Sequence, residues 1–250
     1  MTKCFVRKSV AVAALALGLT ATGANAAVVF TGSSGSLAAS AEFAVSGSTL
    51  TVTLTNTSTN DVLVPTDVLT GVFFNLAGNP ALTRTSALLA GGSTVFYDPD
   101  GQPTGGVVGG EWAYLNGLSQ YGANSGISSS GLSLFGPGDR FPGADLAGPP
   151  SGSPDGLQYG LLSAGDDAAT GNAGVTGSGG LINNAVVFTL DGLPGGFTES
   201  SITNVTFQYG TALTEPSYRG GPPGRIPEPT SLLLVALALF ALGFTRRPSS

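Results

Sequence analysis

The 250-residue chain contains no histidine, and its single cysteine and single methionine, Cys4 and Met1, both lie at the N-terminus. The body of the protein therefore has no imidazole, thiol or thioether group. This absence excludes a Ser-His-Asp triad, a Cys-His pair, a zinc site and an internal disulfide. Charged residues are also scarce, at 10% of the chain, whereas soluble domains usually contain about a quarter.

The first 26 residues have the pattern of a secretory signal peptide. Three basic residues open the segment: Lys3, Arg7 and Lys8. Residues 10–19 are apolar, and Ala24 and Ala26 are the small residues that a signal peptidase reads. A membrane anchor is the alternative, but this run is too short to cross about 30 Å of hydrocarbon. We expect cleavage after Ala26.

Residues 225–250 form a second processing segment. The short motif Pro227, Glu228 and Pro229 comes first, and residues 232–244 are continuously apolar. A basic pair, Arg246 and Arg247, follows as a stop signal that the positive-inside rule keeps in the cytoplasm. These features predict a transmembrane helix over about 230–245. An ordinary tail anchor would explain the helix and the arginines, but not the Pro-Glu-Pro motif.

The motif, the helix and the basic pair, in this order, resemble the C-terminal sorting signal of PEP-CTERM proteins. The resemblance implies processing near Pro227, Glu228 and Pro229 by an exosortase, a membrane-embedded cysteine transpeptidase. It also implies a Gram-negative bacterium that makes exopolysaccharide and biofilm matrix. The product would be anchored transiently in the inner membrane and then reach the cell surface or the extracellular matrix. The resemblance concerns sorting and says nothing direct about the body.

The body without these two segments is strongly acidic. When residues 1–26 and everything after Pro229 are removed, the chain retains four arginines, no lysine and all 15 Asp and Glu residues, which gives a net charge of −11. This charge argues against binding to nucleic acid or anionic lipid, because phosphate neutralisation needs a basic patch. Divalent cations are better suited as partners.

Residues 27–224 predict a single all-β domain, a β-sandwich. Apolar residues alternate over 41–45 and 49–55, and residues 46–48 supply a turn, which indicates a hairpin with one buried face. The other strand candidates are 28–31, 71–76, 94–97, 111–115, 185–190 and 202–209. The predicted core comprises Leu50, Val52, Leu54, Phe73, Val187, Phe188, Val205 and Phe207. Val187 and Phe188 are adjacent, so only one of them can face inward on a regular strand.

Residues 116–180 are rich in glycine and proline, with short apolar islands. We expect a loosely structured insertion with long loops in one domain. A linker between two domains is the alternative, but the flanking segments are short for independent sandwiches.

Two acidic loops are candidate calcium ligands. Asp98 and Asp100 precede Gly101 in part of a calcium-loop pattern, without its third acidic position and distal glutamate. A solvated turn is the alternative reading. Asp166 and Asp167 lie in a second glycine-rich loop. No cofactor is otherwise indicated, and calcium is the one metal these residues suggest.

Three further readings concern the body. Paired carboxylates could hydrolyse glycosides, but a body without His or Lys has a narrow acid–base repertoire, so we expect no enzyme. Trp112 and Tyr114 alternate on a strand candidate and could stack on sugar rings, although a lone Trp usually packs in the core.

An alternate-residue row of threonines resembles the ice-binding faces of some antifreeze β-proteins, although Thr also favours ordinary strands. The row comprises Thr49, Thr51, Thr53, Thr55 and Thr57.

The preferred interpretation is a non-enzymatic surface or matrix protein that is exported, transiently anchored and then processed. Its partners would be signal peptidase, an exosortase and the membrane, with exopolysaccharide as a further candidate. The alternative is a polysaccharide-binding or adhesion module, assisted by calcium.

Overall fold

The structure, a computed structural model, describes residues 26–97, 102–148 and 152–221 and the backbone of residues 224 and 225. Strands dominate these residues, and the one α-helix among them, α1, is a single turn, Ala173–Thr176. The strands in chain order are β1 Val28–Ser34, β2 Leu37–Ser46, β3 Thr49–Asn56, β4 Leu69–Leu76, β5 Thr83–Leu89, β6 Thr94–Phe96, β7 Ala113–Asn116, β8 Ser125–Ser128, β9 Leu161–Leu162, β10 Leu181–Asn183, β11 Ala185–Asp191, β12 Ile202–Tyr209, β13 Ser217–Arg219 and β14 Gly224–Arg225.

The strands form two sheets. The first sheet is antiparallel, with the strand order β14-β1-β2-β3-β11-β5. The second has the order β13-β12-β4-β9-β10-β6, and the β7–β8 pair joins it where β8 pairs with β4. One apolar cluster contains residues of both sheets. The predicted all-β sandwich is therefore confirmed.

The predicted hairpin is formed by β2 and β3. Ser46 is opposite Thr49, so Gly47 and Ser48 alone make the connection. Gly47 has a φ of 62°, which a two-residue hairpin loop requires at its first position and which glycine adopts without steric cost. Leu50, Val52 and Leu54 are completely buried, as the period of two predicts.

The core lies between the sheets and is rich in aromatic side chains. Phe43 of the first sheet meets Phe74 of the second in an edge-to-face contact, with ring centroids 5.1 Å apart. Phe188 contacts the rings of Trp112 and Phe141 at 5.0 and 5.4 Å. Such contacts add to the free energy gained by burying apolar area.

Two details of the predicted core need correction. Phe73 is buried, but on the opposite face of β4, in a separate cluster with Ala123, Leu132 and Phe135. The reason is that Phe73 and Phe74 are adjacent, and adjacent strand residues point to opposite faces. Of the adjacent pair on β11, Phe188 is in the core and Val187 is the partly exposed member.

Residues 116–180 supply strands of the second sheet and buried side chains that pack against β4. They contribute β8 and β9, which both pair with β4. Long irregular stretches connect these short strands, yet Phe135, Phe141 and Tyr159 within them are buried. The segment therefore combines the expected long loops with residues that cover both faces of β4.

Among the described residues, no helix has the length and apolar character needed to cross a membrane. The predicted helix at about 230–245 and residues 1–25 of the predicted signal peptide lie outside the described residues.

The neighbours Phe188 and Val187 provide a test of the β11 register. We expect Phe188→Ala to lower the free energy of unfolding by about 3–5 kcal/mol, because it opens a cavity between the sheets. Val187→Ala, one residue away on the outer face, should cost less than about 1 kcal/mol. Urea denaturation of residues 27–225 measures both. Equal losses would contradict this register.

Candidate functional site

The two ends of the domain meet on neighbouring strands. Val28 is the register partner of Arg225, and Val29 that of Gly224, in an antiparallel ladder. The chain before Val28 and the chain after Arg225 consequently leave the sheet at the same end. The predicted cleavage residue Ala26 lies two positions before β1 and is partly exposed.

The predicted sorting residues lie outside the described residues. These are Ala24 of the cleavage site, Pro227, Glu228 and Pro229 of the motif, and Arg246 and Arg247 of the basic pair. The last described residue, Arg225 of β14, precedes Pro227 by two positions in the chain.

Of the two predicted acidic loops, Asp98 and Asp100 lie outside the described residues, and Asp166 and Asp167 lie within them. Asp166 Oδ1 accepts a hydrogen bond of 2.9 Å from the Val62 amide. Asp61 accepts hydrogen bonds from the Asp167 amide at 3.0 Å and from Thr170 Oγ1 at 2.6 Å. These bonds tie the loop around residue 61 to the loop around residue 167.

The pKa values of the two central carboxyls, Asp166 and Asp61, are shifted in opposite directions. Burial raises the pKa of Asp166 to about 6, and Asp61 and Asp167 add to the shift. The hydrogen bond from Thr170 lowers the pKa of Asp61. Burial and the nearby carboxylates raise the pKa of the Tyr97 hydroxyl. The hydrogen bonds are those of a structural tie between two loops.

The described part of the chain contains no group of three or more His, Cys, Asp or Glu side chains arranged to hold a metal ion. Asp166 and Asp167 also point to different partners, since Asp167 Oδ1 accepts from the Ala169 amide in its own turn.

The aromatic pair Trp112 and Tyr114 does not form a surface platform. Trp112 has no exposed area, and Tyr114 is 3% exposed. The turn Gly109–Glu111 precedes Trp112, so the strand begins at Ala113, two residues later than predicted. Both rings belong to the main core. Core packing, the usual role of a lone Trp, is what the structure shows, and neither ring face reaches solvent to stack on a sugar.

The threonine row lies on the outer face of the first sheet. The four threonines within β3 are partly exposed, and Thr57 follows the end of the strand. Its neighbours continue the row only in part. The residues beside it are Ser40, Glu42, Ala44 and Ser46 on β2, and Ala185, Val187, Thr189 and Asp191 on β11. The observed face is a mixed strand surface, in which only one strand carries an unbroken row of threonines.

A buried carboxylate that the sequence reading did not single out is Glu111. Its side chain has no exposed area. Oε1 accepts from the amides of Leu146 and Ala147, and Oε2 accepts from Ser153 Oγ at 2.8 Å. Burial raises its pKa. The available signal was a glutamate beside Trp112 in an otherwise apolar stretch.

Other described carboxylates also bind the backbone. Glu199 Oε1 accepts from the Val45 amide at 2.9 Å, and Asp139 accepts from the Gly136 amide at 2.9 Å. Asp145 instead pairs with Arg140 at 2.9 Å. The described acidic residues thus act mainly as hydrogen-bond acceptors, several of them for segments distant in the chain. Those that lie close together form separate groups, Asp61 with Asp166 and Asp167, and Glu111 with Asp145.

The raised pKa of Asp166 predicts a pH effect. A carboxyl with a folded-state pKa above its unfolded value weakens stability as pH rises through the interval, here about 4 to 6. We expect Asp166→Asn to reduce this decline by about 1 kcal/mol, a figure discounted for solvent screening. Urea denaturation at pH 4 to 7 measures it. The exposed neighbour Asp167→Asn removes only the smallest contribution to the shift and should reduce the decline less. Identical curves for wild type and Asp166→Asn would refute the prediction.

Comparison with known proteins finds one family. Residues 225–247 match the PEP-CTERM protein-sorting motif. No curated protein and no solved structure matches the chain. The matched stretch begins at Arg225, the last residue of β14, and includes the Pro-Glu-Pro motif, the apolar run and both terminal arginines. The chain is therefore a protein that carries the PEP-CTERM sorting motif.

Proposed function

We propose that this protein is an exported surface or extracellular-matrix protein that an exosortase processes near Pro227, Glu228 and Pro229. The observation that carries the proposal is the sorting motif at residues 225–247, which begins at the last residue of β14. The N-terminal leader pattern supports the same route. The host would be an exopolysaccharide-producing Gram-negative bacterium, and the membrane anchoring would be transient.

We further propose that the β domain is structural and non-enzymatic. The absence of His and Lys from the body supports this reading, since few groups are left for proton transfer at neutral pH. The bonding of Glu111, Glu199 and Asp139 to backbone amides supports it further. A carboxylate that already holds a loop in place is a poor general acid or nucleophile. The acidic surface fits a matrix protein that stays soluble at high concentration.

The sorting proposal is tested by replacing Pro227, Glu228 and Pro229 with alanine in the native host. Export should be unchanged, because the signal peptide is untouched, while unprocessed precursor accumulates in the membrane. Intact-mass analysis of the wild-type product should show a chain that begins at Ala27 and lacks residues 232–244.

A matched control replaces Pro248, Ser249 and Ser250 with alanine and should be processed at the wild-type rate. A wild-type product that retains residues 232–244 would reject exosortase processing in favour of a plain tail anchor.

A further inference from the structure

The outer face of the second sheet carries a pocket beside its edge strand, β13. Thr206 of β12 faces outward, because both of its neighbours in the strand belong to the main core. Arg219 of β13 is the register partner of Thr206 and therefore lies on the same face. With Tyr121 and Ser217, these two residues line an open cavity of about 320 Å³. We call this cavity the β12–β13 pocket.

One wall of the pocket is Tyr121, which the structure holds in a strained conformation. Its φ is 57°, in the left-handed region that residues other than glycine seldom adopt. Asn204 Nδ2 donates to its carbonyl oxygen at 3.0 Å, and its hydroxyl donates to Gln208 Oε1 and to the Leu213 carbonyl. The ring meets Phe73 edge to face at 5.2 Å. Such strain persists only where the surroundings fix it, and it is concentrated at functional sites.

The floor of the pocket contains a hydroxyl without a partner. Thr206 is 2% exposed, and its Oγ1 forms no hydrogen bond in the described part of the chain. Most buried polar side-chain atoms are hydrogen-bonded, because an unpaired one lowers stability. β4 and β13 flank Thr206 within the sheet, and the core lies behind it. The pocket is therefore the side from which a partner can come.

Arg219 is the cationic group of the pocket. Its side chain is exposed, and its guanidinium forms no ion pair or hydrogen bond with any described residue. By contrast, Arg84 and Arg140 pair with Asp139 and Asp145. The described residues that line the pocket include no Asp or Glu. An arginine that stays unpaired in an acidic domain is available to an anionic group from outside.

These groups together fit a sugar that carries a carboxylate. A planar guanidinium pairs with a carboxylate through two parallel hydrogen bonds. The hydroxyls of Thr206 and Ser217 can exchange hydrogen bonds with ring hydroxyls, and the Tyr121 ring can pack against an apolar sugar face. The volume lies at the lower end of the range of about 300–1,000 Å³ for small-molecule sites, which favours one sugar unit. Charge elsewhere on the domain repels an anion only over short range, since about 0.1 M salt screens it within about 10 Å.

We propose that the β12–β13 pocket binds a hexuronate unit. The carboxylate pairs with Arg219, the ring hydroxyls bond to Thr206 and Ser217, and the ring packs against Tyr121. The pocket thereby distinguishes an acidic saccharide from a neutral one. This inference goes beyond the proposed function and is independent of exosortase processing, because it concerns a surface of the folded domain.

Ligand-observed saturation-transfer NMR tests the proposal on the purified full chain, kept in a detergent that has no sugar head group. The probes are D-galacturonate and its neutral counterpart D-galactose, which differ only at C6. We expect galacturonate to bind at least about tenfold more tightly than galactose, because only the acid can pair with Arg219. Equal affinities, or no saturation transfer to galacturonate, would overturn the inference.

Two substitutions test the assigned contacts. Arg219→Gln should bring the affinities for the two sugars within about twofold of each other. Thr206→Val should weaken binding of both sugars by about threefold or more, while the melting temperature stays equal or rises because a hydroxyl without a partner has been removed. An unchanged preference in Arg219→Gln, or wild-type binding by Thr206→Val, would also overturn the inference.

The matched controls lie on the first sheet, away from the pocket. Arg84→Gln removes an arginine of β5, and Thr53→Val replaces a partly exposed threonine of β3. Both variants should keep the wild-type affinities for galacturonate and galactose. Loss of the preference in Arg84→Gln would assign the carboxylate to another site and reject the pocket.

Tetragalacturonate distinguishes the source of the sugar unit. Tighter binding of the oligomer than of the monomer indicates a polysaccharide, and equal binding indicates a free sugar acid. Either result supports the pocket, provided that Arg219→Gln weakens it. Tetragalacturonate binding that Arg219→Gln leaves unchanged would count against the pocket.

Discussion

Packing between the two sheets is the interaction on which the other features of the domain depend. Phe43, Phe74 and Phe188 fill the space between the sheets, and burial of their apolar area supplies the main favourable free energy. β4 lies at the centre of the second sheet, and buried side chains cover both of its faces. The glycine-rich segment 116–180 is ordered around it for this reason.

Scarcity of positive charge is the second constraint, and it shapes how the carboxylates are used. In the described residues only a few acidic groups meet an arginine, as in the Arg140–Asp145 and Arg84–Asp139 pairs. Glu111, Glu199 and Asp166 instead accept hydrogen bonds from backbone amides. Such bonds satisfy amide groups that irregular backbone leaves without a ladder partner. A chain rich in loops and poor in lysine can thereby use its acidic residues as structural acceptors.

The C-terminal edge links the fold with sorting. Residues just before the motif complete both sheets on one side of the sandwich, and they are also the last residues of the domain to leave the ribosome. The first strand, β1, begins two residues after the predicted leader and pairs with β14. Closure of this edge therefore requires residues near both ends of the domain, and the chain before Val28 and the chain after Arg225 leave the sheet at the same end.

Local pattern was sufficient to predict the hairpin of β2 and β3, the bounds of β12, the burial of Leu50, Val52 and Leu54, and the terminal sorting motif. The period of two, turn residues and short motifs are local properties, so the sequence by itself determines them. Tertiary structure alone decided that Phe73 faces away from the main core, that Phe188 rather than Val187 faces inward, and that Trp112 and Tyr114 are buried. It alone brought Asp61 to Asp166, Glu111 to Ser153 and β14 to β1. These pairs are 42 to 197 positions apart in the chain, and local pattern carries no information about which distant segments will cover a given face.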